Sequence, residues 1–111
     1  MSEKELTKML IEYLNLKYPV RVWRQNTGKM IAEHKGKTRM VSFGIPGQAD
    51  ITGIHNESGK RIEIEVKLPK RKNRLTPAQR EFLESVRRSG GIAFVATSID
   101  DIDNELGGSN D

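Results

Sequence analysis

Between Arg61 and Lys67 charged and apolar residues alternate without a break, RIEIEVK. A period of two belongs to a strand, so Ile62, Ile64 and Val66 share one face while Arg61, Glu63, Glu65 and Lys67 share the other. The strand is expected to have a core face and a charged face. Upstream, Asn56-Glu57-Ser58-Gly59 is rich in turn formers. A hairpin centred between Glu57 and Ser58 pairs Ile51 with Ile64 and sets Asp50 opposite Glu65. Directly opposed residues share a face with Cβ atoms about 4.5–5.5 Å apart, so two carboxylates converge beside Lys67. Like charges so placed destabilise a sheet unless a cation lies between them, and hard oxygen ligands suit Mg²⁺ or Mn²⁺. A plainer reading is also open: a solvated strand face with a Glu–Lys pair. A register shifted by one residue would send the carboxylates to opposite faces.

The chain has 111 residues, enough for one small domain and too few for two. That domain is expected over residues 1–106, with 107–111 as a flexible C-terminal tail. The absence of cysteine excludes disulfides, thiolate metal sites and cysteine nucleophiles. No apolar run reaches the length of a membrane span, and the first residues form a charged amphipathic segment rather than a signal peptide. The expectation is a soluble, intracellular protein without a membrane partner. Five of the 15 acids lie in the last twelve residues, which hold no base, so residues 1–99 carry 19 bases against ten acids, a net +9. Such a field favours a polyanion, most simply nucleic acid, although many small basic domains bind none.

Taken in order, Ser2-Glu3-Lys4-Glu5 has the spacing of a capping box. Leu6, Met9, Leu10, Tyr13 and Leu14 then recur on one helical stripe. Glu3 falls near the centre of that stripe and Glu5 well away from it, so Glu3 is the acid that leans toward a sheet, or else a first-turn carboxylate complementing the helix dipole. Pro19 ends the helix. Val20 to Asn26 suits a strand, with Trp23 read as core rather than as a base-stacking platform, and Arg24 and Asn26, two apart, on one face as phosphate contacts or as a surface pair. Met30 to Phe43, broken at Gly36, reads as a hairpin or a basic flap. His34 and His55 lack metal-ligand spacing.

Gly44-Ile45-Pro46-Gly47 is a tight turn that delivers the chain to Asp50. After Lys67 the loop from Leu68 to Arg74 carries Lys70, Arg71, Lys72 and Arg74, either a phosphate clamp or a solvated basic run. Thr76 caps the next helix, Pro77 opens it, and Gly90-Gly91 closes it. Phe82, Leu83 and Val86 form its inner face, and Gln79 points to the sheet near its start. Ile92 to Ala96 is a near-continuous apolar run, as in a central strand, and pairs in parallel with residues 61–67 through the helical crossover. Ile99, Ile102 and Leu106 suggest a short closing helix.

With these pieces assembled, the chain resembles the PD-(D/E)XK nuclease superfamily, and within it the VRR-NUC (virus-type replication-repair nuclease) domains. The motifs are Ser2-Glu3-Lys4-Glu5-Leu6, Trp23-Arg24-Gln25-Asn26, Phe43 to Asp50, Glu65-Val66-Lys67, Leu75-Thr76-Pro77-Ala78-Gln79 and Gly90 to Val95. Gln48-Ala49 stands before Asp50 where the family often has a proline, a departure in the turn rather than in a ligand. The resemblance implies an α/β fold, restriction-endonuclease-like, with a central mixed β-sheet flanked by helices in an αβββαβ-type core.

By the same resemblance, Asp50 and Glu65 are metal ligands for Mg²⁺ or Mn²⁺, joined by the Val66 carbonyl and by Glu3 directly or through water. Lys67 orients or activates the attacking water, and Gln79 completes the catalytic set. The implied activity is phosphodiester hydrolysis in DNA, on branched substrates such as four-way (Holliday) junctions, by a homodimer. A nicking or flap nuclease, a restriction-like enzyme and a catalytically silent nucleic-acid-binding module are the alternatives. No obvious reader of base edges appears, which disfavours sequence specificity. Clustered acids disfavour a pure binder, which gains nothing from placing them beneath phosphates.

Overall fold

A computed structural model describes residues 1–25 and 28–107. Helix α1, Glu3–Lys17, starts from the Ser2 capping box: the Ser2 hydroxyl accepts from the Glu5 amide and Glu5 in turn accepts from the Ser2 amide. It stops at Tyr18, one residue before Pro19. Strand β1, Val20–Arg24, follows, then β2, Gly28–His34, and β3, Lys37–Phe43. These last two form a separate antiparallel ribbon closed by Lys35 and Gly36, both at positive φ, as a two-residue primed turn demands. Asn26, expected to contact phosphate, lies outside the described residues, and of the tail over 107–111 only Gly107 is described.

Strands β4, Ile51–His55, and β5, Arg61–Val66, make the antiparallel hairpin in the register read from its turn: Ile51 pairs with Ile64, Thr52 with Glu63, Gly53 with Ile62 and Ile54 with Arg61. Helix α2, Pro77–Arg88, crosses over to β6, Ile92–Ala96, which pairs in parallel with β5. Helix α3, Ile99–Leu106, closes the fold. The sheet order is β1-β4-β5-β6. The chain is thus α/β, a mixed four-stranded sheet flanked by helices, with the ribbon inserted between β1 and β4. No helix among the described residues is long and apolar enough to cross a membrane.

Alternation along the strands divides the core into two layers. Leu6, Leu10 and Leu14 of α1 and Ile102 of α3 pack on Val20, Val22, Ile51, Ile62, Ile64, Val66, Phe94 and Ala96. On the opposite sheet face Leu83 and Val86 of α2 pack on Ala49 and Ala93. Asp103 of α3 clasps α1 from its far end, accepting from Tyr13 Oη at 2.7 Å and from Tyr18 Oη at 2.5 Å.

Two expectations change here. Trp23 is not core: it is 47% exposed, because Val20 and Val22 take the α1 face and strand parity turns Trp23 to the face of α2, which packs chiefly on β5 and β6. Nor is the charged face of β5 solvated. Its Glu63 is 0% exposed and Glu65 4% exposed, because the apolar side of α2 needs a sheet face to cover and takes this one.

Candidate active site

Asp50 is the last residue before β4, held by the turn before it, by the burial of Ala49 and by two hydrogen bonds of its own. The turn before it is closed by the Gln48 amide donating to the Ile45 carbonyl at 3.0 Å and by the Ile45 amide donating to Gln48 Oε1 at 3.1 Å. Ala49 is buried in the α2 layer. The Asp50 carbonyl accepts from the Gln25 amide at 2.7 Å, and its Oδ2 accepts from the Val66 amide at 2.8 Å. The carboxylate is therefore tied to the strand that carries its partner.

Gly47 makes this possible. It sits at φ +80°, and a Cβ there would lie 2.2 Å from the Ala78 carbonyl oxygen and 2.8 Å from the Gln79 nitrogen. The turn is pressed backbone to backbone against the first turn of α2. Gly59 has a similar φ of +76° but open space around it. Gly47→Ala is expected to lower stability by about 3 kcal/mol or more, and Gly59→Ala by about 1 kcal/mol. Chemical denaturation of the two variants checks this, and equal losses would remove the claim of close approach.

Glu65 faces Asp50 across the hairpin. Burial and the neighbouring Asp50 charge push its carboxyl up to about 8, against an opposing pull from Lys67. The Lys67 Nζ lies 3.6 Å from Glu65 Oε2, with 13% of its side chain exposed. Gln79 reaches the same oxygen from α2: its Nε2 donates to Glu65 Oε2 at 3.1 Å. The other end of that amide is committed, since Oε1 accepts from the Thr76 amide at 2.9 Å in a second capping box. Capping thus fixes which end of Gln79 meets the carboxylate. Asp50, Glu65, Lys67 and Gln79 come together at the end of the sheet beside the start of α2.

Other predicted residues lie elsewhere. Glu3 is in the first turn of α1, in the layer opposite the carboxylate pair, and its carbonyl accepts from the buried Thr7 hydroxyl at 2.7 Å. Among the described residues no three carboxylate or imidazole groups come together, so Asp50 and Glu65 form a pair without a third acid. Arg24 pairs with Ile51 on the α1 face and lines a groove with Lys4, Lys8 and Ile11. Its side chain is on the wrong side of the sheet to meet the pair, for the same parity reason that exposes Trp23. In the loop after Lys67, Lys70 and Arg71 form a single 3₁₀ turn, and Lys70, Arg71, Lys72 and Arg74 are all exposed. Lys72 is engaged with Asp101, Nζ to Oδ1 at 3.3 Å. The loop leaves the sheet at Lys67 and returns at Thr76, so it borders the end that holds the pair.

The sequence reading missed Glu63, one row further along the same face. Its Oε2 accepts from the Thr52 hydroxyl at 2.5 Å and from Arg61 Nε at 2.6 Å, while Oε1 has no partner among the described residues. The available signal was Thr52, a hydroxyl set opposite an acid in a hairpin whose register was already in hand.

The donor set suits a hard divalent cation. Mg²⁺ binds through one or two carboxylates and completes its shell with water and substrate phosphate oxygens. Two opposed carboxylates, one of them hard to ionise alone, are what such an ion would relieve. A comparison with curated proteins gives no match. The VRR-NUC domain family model matches residues 2–100, nearly the whole chain and every element described up to the start of α3. Helices α1 and α2, all six strands, the Asp50–Glu65 pair and Lys67 lie inside that match, and the chain belongs to the VRR-NUC family, which makes it a nuclease of the PD-(D/E)XK type.

Proposed function

We propose that this protein is a divalent-metal-dependent, structure-selective DNA endonuclease that acts as a homodimer on four-way junctions. The observation that carries the reading is the meeting of Asp50, Glu65 and the Lys67 ammonium at one end of the sheet. Asp50 and Glu65, with the Val66 carbonyl, would hold Mg²⁺ or Mn²⁺, with water rather than the distant Glu3 completing the shell. When bound, such an ion lowers the pKa of water and neutralises charge on the phosphoryl group.

The chain supplies the rest. Lys67 holds the attacking water or meets the negative charge growing on the phosphate, in a pocket where burial strengthens the attraction. Gln79 keeps one Glu65 oxygen oriented so that the carboxylate does not swing away. The exposed basic loop over Lys70, Arg71, Lys72 and Arg74 draws in the phosphate backbone. One chain carries one such set among its described residues, and paired nicks on symmetric strands call for a second copy related by a two-fold axis.

The test incubates the protein with end-labelled four-way junctions, flaps and linear duplexes, each with Mg²⁺, Mn²⁺ or EDTA. Paired nicks near the branch point that vanish in EDTA are expected. Cutting confined to flaps supports a flap nuclease instead, equal cutting of every linear duplex defeats structure selection, and cutting in EDTA defeats the metal mechanism.

A further inference from the structure

The registers of β1, β4 and β5 arrange their α2-side residues in rows. Gln25 adjoins Asp50 through the backbone, with Glu65 beyond. The next row is Trp23, Thr52 and Glu63, and the one after it Arg21, Ile54 and Arg61. Helix α2 covers the β5 and β6 end of these rows and leaves the β1 end open. Trp23 and Ile54 are each 47% exposed there, and Arg21 is exposed beside them. Trp23 is thus a diagonal neighbour of Asp50, about 7–8 Å away between backbones.

A half-exposed indole in solvent is costly to keep without a use, since its flat face is a large apolar surface. Its neighbours decide what it meets. Arg21 stands two residues before it on the same strand and face, exposed and beside Ile54, while Arg61, two strands over, is taken by Glu63, so Arg21 supplies the charge that favours a partner with a negative backbone over an apolar protein surface. Its distance from the carboxylate pair matches one nucleotide step from a phosphate held there. Nucleobases are the flat, π-faced groups carried on such a backbone, and aromatic side chains stack on them without regard to sequence. A paired base inside a duplex cannot offer its face.

From this we infer that Trp23 is a stacking platform for an unpaired base next to the phosphate that is cut. The inference rests on the nuclease reading and narrows it: the site takes a strand with at least one unstacked nucleotide, as at a branch point or flap. It also gives the sheet edge left open by α2 a role in choosing where the cut falls.

Trp23 is the single tryptophan in the chain, so its emission reports on this contact alone. The experiment uses the whole chain in a Lys67→Ala background with Mg²⁺ present, so that binding is read before the slowed cutting consumes the DNA. A blunt duplex is compared with the same duplex bearing an unpaired flap, following both tryptophan emission and the anisotropy of a dye on the DNA. Quenching with the flap and little with the duplex is expected. Trp23→Ala added to that background weakens flap binding about tenfold and duplex binding little, while Trp23→Phe keeps most of the flap affinity. Circular dichroism checks that both variants fold.

Rising anisotropy with unchanged emission, or Trp23→Ala binding the flap as tightly as its parent, overturns the platform and leaves the nuclease reading standing. No binding to either DNA, together with no cleavage by the unaltered protein, overturns both.

Discussion

Replacing Lys67 by Ala lowers the cleavage rate by roughly a hundredfold to a thousandfold, the loss expected when one preorganised charge donor is removed from a site of this kind. The effect falls on kcat with KM little changed, because the ammonium is needed where charge develops rather than where DNA is first held. Lys67 is mostly buried and faces Glu65 at 3.6 Å, so its removal leaves the Asp50–Glu65 pair in place and metal binding intact. Asp50→Asn behaves differently. Its amide oxygen still accepts from the Val66 amide, preserving the fold, but the pair loses a charge, so metal binding and cleavage fall together. Isothermal titration with Mn²⁺ beside single-turnover cleavage separates the two variants. If Lys67→Ala cut DNA at the parent rate, the ammonium would be a structural counter-ion to Glu65 and no more.

The hairpin that creates this pair was legible because two independent signals agree on it. The turn formers at Asn56–Gly59 set the register, and the alternation of Ile62, Ile64 and Val66 set the face. The observed pairing of Thr52 with Glu63 and of Ile51 with Ile64 follows from those alone. The two capping boxes were legible for a similar reason, since they depend on residues three apart. The covering of each sheet face was not. Trp23 and Glu63 were misjudged together because parity says which residues share a face and nothing about how far a helix extends over it. Only the packing of α2 on β5 and β6, and not on β1, exposes Trp23 while burying Glu63. Glu3 illustrates a related limit: the stripe on α1 points it toward the sheet, but the sheet has two faces, and α1 lies on the one opposite Asp50 and Glu65.

Metal-free protein is expected to lose stability as pH rises from about 5 to 8, and Glu65 is the cause. Its carboxyl titrates at about 8 in the folded chain against an ordinary 4.5. Between those values the folded state holds a proton that the unfolded state has released, so raising pH favours unfolding. Below the lower value the penalty is absent, and above the higher one it is complete, on the order of 5 kcal/mol.

The groups held below their ordinary values act in the other direction and in another window. Burial works against Asp101, but the Thr97 hydroxyl and amide and Lys72 keep it low. Tyr18 and Tyr13 do the same for Asp103. Their contribution is present above the ordinary aspartate value of 3.8 and is lost as pH falls. A stability maximum near pH 5 follows, with an alkaline limb that belongs to Glu65.

Glu65→Gln removes that limb and raises the melting temperature at pH 8, because the amide keeps an acceptor for Gln79 without a charge facing Asp50. Mg²⁺ or Mn²⁺ removes it by a different route, since an ion that binds only the ionised, folded pair adds stability through mass action. The metal-induced rise in melting temperature should therefore be larger at pH 8 than at pH 5 and absent in Glu65→Gln. Thermal melts across this pH range, with metal and with EDTA, make the comparison. A metal-free profile that stays flat from pH 5 to 8 would mean the two carboxylates do not share a pocket, and a metal shift that survives in Glu65→Gln would place the ion elsewhere.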